Sequence, residues 1–502
     1  MAGPGTLNQP SIISAVANVT FFDIDRMLNA TVESQGLPTE LLNMHQLRQS
    51  ASDLFTHSIQ DNLLGDIDLR QTNVPLDRLS LLFATLALHS FPNPDPHSMP
   101  AFLELSTIMT DNYAGEPTVD LVSAIFIQHT CVLRTGTGNR SRSLIAHAVQ
   151  VAHDLGIQNP DHDADPQHLR IYLMIYFADQ YCALTHNTAP CIKATDMSPE
   201  LFDPLLVRYP RLQRFVKLIS LNGRVLESIY TRPYTYDAVI DLESIMGNVC
   251  AAIGKPMSSD GQSGQSIEFH YENLVQIHVF WSRMILRAPL LLSERHWISS
   301  LSVCLRAAQM LLSIYFDILR PVIMFMATTA LQSYDETLKR QLQTTIVLPP
   351  TWRQVRRIAA SIFIIIYAYW KGEASHEEAS RSAAMALALL EFQRTRWKAE
   401  VQPAITTVRG LVTFSGLEVK SFMQQLVPDA TAAYLTIISE EGVAENEYEV
   451  DHTPVEDNWV ARPLEQSAPM ATTAWWEQND LENIFDAVSF HDLSSFGLWE
   501  NN

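Results

Sequence analysis

Basic side chains, glycine and cysteine are all scarce in this chain of 502 residues. Its 34 Lys and Arg stand against 55 Asp and Glu, a formal net charge of −21. That is the wrong sign for a body that must grip nucleic acid by its phosphates. Only 18 glycines are present among long Leu-, Ala- and Ile-rich stretches, which favours helix over sheet. The five cysteines (Cys131, Cys182, Cys191, Cys250, Cys304) include no C-x-x-C pair. An odd count without pairing rhythm indicates reduced thiols inside the cell rather than a disulfide framework. No signal peptide is read, because the first basic residue is Arg26 and no charged segment precedes an apolar run. The most apolar stretches, SIFIIIYAYW (361–370) and PVIMFMATTALQSY (321–334), fall short of the roughly 20 residues that span a bilayer. Both are expected as buried helices in a chain with no membrane partner.

Catalytic signatures are missing as well. There is no G-x-S-x-G, no H-E-x-x-H, no paired-cysteine zinc spacing and no D-D-x-x-D. Three stretches nevertheless invite a test. In AHAVQVAHDLGI (146–157), His147 and His153 are six residues apart, which places them about 120° apart around a helix. Metal-binding pairs need spacings of three or four, so these histidines diverge. Leu144, Ala148, Val151, Ala152 and Leu155 form an apolar face there instead, and Gly156 is expected to end the helix. His147 and Asp154, seven apart, fit a solvated stripe. PDHDADPQH (160–168) supplies Asp161, Asp163 and Asp165 at the first ligand positions of an EF-hand, but Pro166 and Tyr172 occupy its Gly and Glu positions. An acidic inter-helix turn remains. RTGTGNRSR (134–142) is glycine-rich and basic, but lacks a P-loop or dinucleotide-loop pattern. Ser141 is expected as a helix N-cap after a turn. The sequence therefore predicts no enzyme, no catalytic residue, no metal site and no cofactor in this chain.

What is abundant is helical periodicity. Apolar residues recur at spacings of three and four through 11–34, 40–64, 78–91, 168–186, 212–230, 267–292, 297–337, 351–371, 376–398 and about 403–438. Short polar breaks separate them, and no strand alternation appears. The expected fold class is all-α, a multi-helical globular domain of antiparallel helix pairs over 1–438. KPMSSDGQSGQS (255–266) is its one clear internal loop. Residues 439–502 differ in kind. They hold fifteen acidic residues and one Arg (Arg462), a net of −14 against −7 for everything before them. Within them, WWEQNDLENIFDAVSFHDLSSFGLW (475–499) interleaves Trp475, Trp476, Phe485, Phe490, Phe496 and Trp499 with carboxylates. Acidic–hydrophobic interleaving marks disordered activation segments, whose charges keep aromatics accessible to a coactivator groove. The competing expectation is an amphipathic terminal helix folded back on the body.

The region 120–200 resembles the fungal-specific regulatory region, or middle homology region, of fungal binuclear-zinc-cluster transcription factors. AHAVQVAHDLGI follows the family form A-x-x-x-A-x-x-L-G-L through Ala148, Ala152, Leu155 and Gly156, with Ile157 in the last place. HLRIYLMIYFADQYCALTHNTAPCIKATDM carries the aromatics, Asp179, and Pro190 with Ile192, although Thr188 and Ala189 stand where Gly-Arg is usual. HVFWSRMILRAPLLL resembles the helix closing on His-Arg-Pro, with Ala288 between Arg287 and Pro289. The likeness covers about 75–435. It implies a regulatory domain in a nuclear transcription regulator, acting through a coactivator or other regulatory protein, with a small-molecule effector and a homodimer both compatible. The family's six-cysteine DNA-binding module has no counterpart in these residues, so the expectation is zinc only with a module encoded upstream, and DNA contacted either indirectly or through that absent module. A rival expectation is a helical enzyme or binding protein with a buried pocket, for which His278, Trp281 and Arg283 are the conceivable lining; a third is a scaffold or corepressor that does not bind DNA.

Overall fold

The computed structural model describes residues 16–33, 42–56, 63–64, 72–89, 98–135, 138–159, 165–186, 188–193, 196–209, 212–230, 234–253, 267–328 and 352–439. The loop 255–266, Asp161, Asp163 and every aromatic named in 475–499 lie outside the described residues. Among those described the chain is all-α, with no strand and one isolated bridge between Thr20 and Leu63.

Three cores follow one another along the chain. The first is built by α1 (Phe21–Glu33), α2 (Met44–Phe55), α3 (Leu76–His89), α4 (Ser98–Asp111) and one face of α5 (Val119–Thr135). The second takes the other face of α5 with α6 (Gly138–Asp154), α7 (Pro166–His186), α8 (Asp203–Arg208), α9 (Gln213–Tyr230) and α10 (Tyr236–Ile253). The third joins α11 (Ile267–Arg287), α12 (Trp297–Thr328), α13 (Trp352–Trp370), α14 (His376–Phe414), α15 (Val419–Leu426) and α16 (Ala432–Ser439). Two helices serve two cores each. From α5, Ala124, Ile127 and Cys131 enter the first core while Val122, Ile125 and Phe126 enter the second. From α11, Val275, Val279 and Leu286 face the second core and Ile277, Trp281 and Met284 the third.

Local chemistry sets the helix ends. Thr20 and Asp23 bond each other's backbone amides at 3.1 and 3.2 Å, a reciprocal cap for α1. Ser375 and Glu378 do the same for α14. Asp165 caps α7 through the Gln167 amide at 2.9 Å, with Pro166 as the first helical residue, so this carboxylate of the acidic turn serves the helix. At the end of α6, Gly156 has φ +72°, and the bonds Ile157 N to Ala152 O (3.3 Å) and Gly156 N to His153 O (2.9 Å) close the turn. The expected stop is there. An added Cβ at Gly156 would meet nothing within 4 Å, so Gly156→Ala is penalised by backbone conformation alone. It is expected to lower stability by about 1–2 kcal/mol in urea denaturation, whereas Gly247→Ala, inside α10 with equally open space, should raise it by up to about 1 kcal/mol.

The structure departs from the sequence expectations at Ser141, over 236–253 and over 376–438. Ser141 is not an N-cap: α6 already begins at Gly138, and Ser141 is fully buried in its first turn. The helix Tyr236–Ile253 was not read from the sequence, because its buried stripe (Val239, Leu242, Met246) is narrow. The helices expected over 376–398 and 403–438 meet differently: α14 is helical from His376 to Phe414, and a separate break at Gly416 (φ +65°) precedes α15. Yet α14 is not straight. Arg409 bonds Glu391, 18 residues back, at 2.6 Å, a separation of about 27 Å on a straight helix. The span doubles back into two arms, with Pro403 removing one backbone donor near the bend. Finally, α12 is 32 residues long and passes a membrane-crossing test by length and composition. Its apolar surface is covered by α11, α13, α14 and α16.

Candidate functional site

Helix α7 runs with apolar residues on every side, from Ile171 through Ile175 to Ala183, and so sits between neighbours rather than on a surface. Phe177 and Tyr181, one turn apart, are its partly exposed aromatics, with ring centroids 5.7 Å apart. Both rings meet His278 of α11 edge-on, at 5.0 and 4.6 Å. His278 is 2% exposed. Beneath Tyr181 lies the guanidinium of Arg357 from α13, 4.7 Å from that ring and 5.5 Å from the ring of Trp281. Arg357 is 3% exposed, donates to the Tyr315 hydroxyl of α12 at 3.3 Å and lies 3.4 Å from His278 Nδ1. Four helices thus converge on one buried cation.

The electrostatics of this cluster are unusual. No carboxylate among the described residues pairs with Arg357. Burial favours its neutral form, but Tyr181 and Tyr315 outweigh that and hold the guanidinium above its ordinary value. The charge is retained and is balanced by ring faces and two long hydrogen bonds. Burial drives the Tyr315 hydroxyl the same way, up to about 12, so it stays protonated and polar. The cluster offers a charged donor fork, a hydroxyl and flat apolar walls. Such an arrangement can hold and orient an anionic group against flat walls.

Several other buried polar groups tie helices together, although the Oε1 atoms of Gln128 and Gln180 accept no hydrogen bond from a described residue. Ser80, Ser106, Thr110 and Gln128 tie α3, α4 and α5 together, with Gln128 Nε2 donating to Ser106 and Thr110 at 2.7 and 2.8 Å. His129 Nδ1 lies 2.8 Å from the Ser141 carbonyl and 3.0 Å from its hydroxyl, joining α5 to α6. Arg287 is held bidentately by Glu243 of α10, packs 5.3 Å from the Tyr236 ring and bonds Ser300 at 3.4 Å. Asp179 accepts from the Cys191 and Ile192 amides at 3.0 and 2.8 Å, and Gln180 donates to the Ile192 carbonyl at 2.7 Å. A surface cleft of about 640 Å³ has aliphatic walls from Leu387, Val412 and Ile438 and a polar rim that includes Arg409, Glu418 and Lys420.

Residues singled out in the sequence fall on both sides of this division. His147 and Asp154 are exposed, whereas His153 is half-buried and lies 3.0 Å from the Tyr172 hydroxyl. Burial lowers the pKa of His153. The two histidines do diverge, and Ala148, Val151 and Ala152 form the buried face. Among the described residues no group of three or more His, Cys, Asp and Glu is placed to hold a metal. Cys131, Cys182, Cys191 and Cys304 form no disulfide with one another. Of the conceivable pocket residues, His278 and Trp281 are brought together and Arg283 is not. Arg283 lies about 140° around α11 from His278 and is half-exposed. The arginine of the cluster is Arg357, which comes from a different helix. Gln354 and Ser361, at spacings of three and four from Arg357 on a helix apolar all round, are also buried, and that polar stripe is the signal that points to it. No protein-family model, curated protein or solved structure matches this chain.

Proposed function

We propose that the chain is the helical regulatory domain of a fungal-type transcription regulator, followed by an acidic activation segment over 439–502. The observation that carries this reading is the division of charge: a net of −14 concentrated in 439–502, interleaved with Trp475, Trp476, Phe485, Phe490, Phe496 and Trp499. Such composition suits a coactivator groove that takes aromatics from a solvated acidic segment. Support for the regulatory half comes from the resemblance over about 75–435. The residues that carry it have defined structural duties: Gly156 stops α6, Asp179 clamps the turn at 191–192, and Arg287 ties α11 to α10. In this reading the protein works in the nucleus through a protein partner, reaches DNA indirectly, and responds to a small molecule.

The test uses the segment where it acts. Residues 439–502 tethered to an unrelated DNA-binding domain are expected to activate a reporter at least about tenfold over the DNA-binding domain alone, since each lost aromatic anchor in a groove is worth on the order of a factor of ten. Phe485→Ala/Phe490→Ala/Trp499→Ala should abolish most of that signal at equal protein level. A silent intact segment would count against the proposal. The second reading, a helical binding protein or enzyme with a buried site, is favoured by one specific observation: His278 and Trp281 do converge with Arg357. Activation by the tail separates it from the first.

A further inference from the structure

We infer that the Arg357 cluster is a binding site for a small organic carboxylate with a flat apolar body. Among the described residues, the buried guanidinium of Arg357 has no carboxylate beside it. A guanidinium carries five N–H donors in a planar fork, and to described partners Arg357 makes bonds of 3.3 and 3.4 Å, to the Tyr315 hydroxyl and His278 Nδ1. Burying an isolated charge is strongly unfavourable unless an opposite charge or several good hydrogen bonds compensate. The two other buried arginines with strong partners show what compensation looks like in this fold. Arg287 has Glu243 and Arg409 has Glu391. Among the described residues Arg357 has no such carboxylate, although it is buried as deeply.

Carboxylate is the anion whose two oxygens match the guanidinium fork. The surroundings specify the rest of the ligand. Tyr181, Phe177 and Trp281 present rings, and Met284 adds an apolar side chain on α11; the Tyr315 hydroxyl stands beside the fork as a further donor. A flat apolar body packs against such walls by ring contact. Access is through α7. Phe177 and Tyr181 are the partly exposed members of the cluster, and Tyr181 directly covers the guanidinium. Entry of a ligand requires the Tyr181 side chain to swing off the guanidinium. The site supplies a ligand class for the small-molecule response of the proposed function and rests on that reading only for its consequence. Binding is measured on the isolated full chain, so its failure and a silent activation segment are distinct results.

The experiment is calorimetric titration of sodium benzoate into the full chain at constant ionic strength, with benzyl alcohol and sodium chloride as parallel titrants. Saturable heat is expected from benzoate alone. Arg357→Met removes the charge while filling the same space, a class of replacement that buried ion-site studies find well tolerated; it should weaken benzoate by about ten- to a hundredfold, with helical circular dichroism unchanged. Arg357→Lys, which keeps charge but not the fork, should fall between the two. Equal heat from benzyl alcohol would overturn the proposal in favour of a merely aromatic pocket. Saturation by chloride that benzoate does not exceed would overturn the organic ligand class. Absence of benzoate binding to the wild-type chain, a measurement that needs no variant, would overturn it outright.

Discussion

Glu391→Ala is expected to destabilise the chain by about 3–5 kcal/mol, the range found when one partner of a buried ion pair is removed. The pair is deep: Glu391 is 3% exposed, and its Oε1 accepts from Arg409 at 2.6 Å. Burial pushes the Glu391 carboxyl up and the Arg409 guanidinium down, each opposed by its partner. What makes the site sensitive is where the two residues sit. They belong to the two arms of the doubled-back α14, and Arg409 also donates to the Ile437 carbonyl of α16. One guanidinium therefore pins the second arm to the first and the terminal helix to both. Without Glu391, Arg409 keeps its burial and loses its charge partner, while Arg394, 41% exposed, turns to solvent. The loss should appear as a lower urea midpoint and as early proteolysis in 401–439. Glu391→Leu combined with Arg409→Met removes both charges and should recover most of the stability. A single variant within about 1 kcal/mol of wild type would show the pair to be solvated.

The legibility of this structure divides along one line, between what a window of ten residues contains and what it does not. The stop at Gly156 could be read because a left-handed glycine after an apolar face is local, and Asp165 because its cap bond spans two residues. The doubling-back of α14 was half legible: Pro403 marked a boundary, but the pairing of Glu391 with Arg409 is tertiary. The cluster at Arg357 shows the limit more sharply. Within QVRRIAAS (354–361) only the polar spacing Gln354–Arg357–Ser361 sets Arg357, buried, apart from Arg356, half-buried, and it names no partner for the charge. The difference is 100° of helix rotation and the presence of Tyr181 and Tyr315 from two other helices. His278 and Trp281 could be named from their spacing on one helix. The cation they serve could not be identified from that helix.

Two landmarks of the resemblance, Asp179 and Arg287, tie their helices to a neighbouring turn or helix. Asp179 is the more exacting of them, and Asp179→Ala is expected to lower stability by about 2–4 kcal/mol, because it strips the acceptor from two amides at once. The Ile192 amide matters most, since Ile192 is buried and Cys191 is exposed. Asp179→Asn keeps one carbonyl acceptor and should lose about half as much. Its pH dependence separates hydrogen bonding from charge. Burial raises the Asp179 pKa, with the Ile192 and Cys191 amides opposing it. A carboxyl with a raised folded pKa contributes stability that is full below its unfolded value, about 3.9, and that declines as pH rises through the folded value. The asparagine variant lacks that decline. The gap between wild type and Asp179→Asn should therefore be wider at about pH 4 than at about pH 7, measured by urea denaturation of both proteins side by side. Other buried carboxyls titrate equally in the two proteins and cancel from the difference. A gap that widens toward neutral pH would mean that the two amides, and not burial, govern this carboxylate, and the penalty of Asp179→Ala should then lie at the upper end of its range.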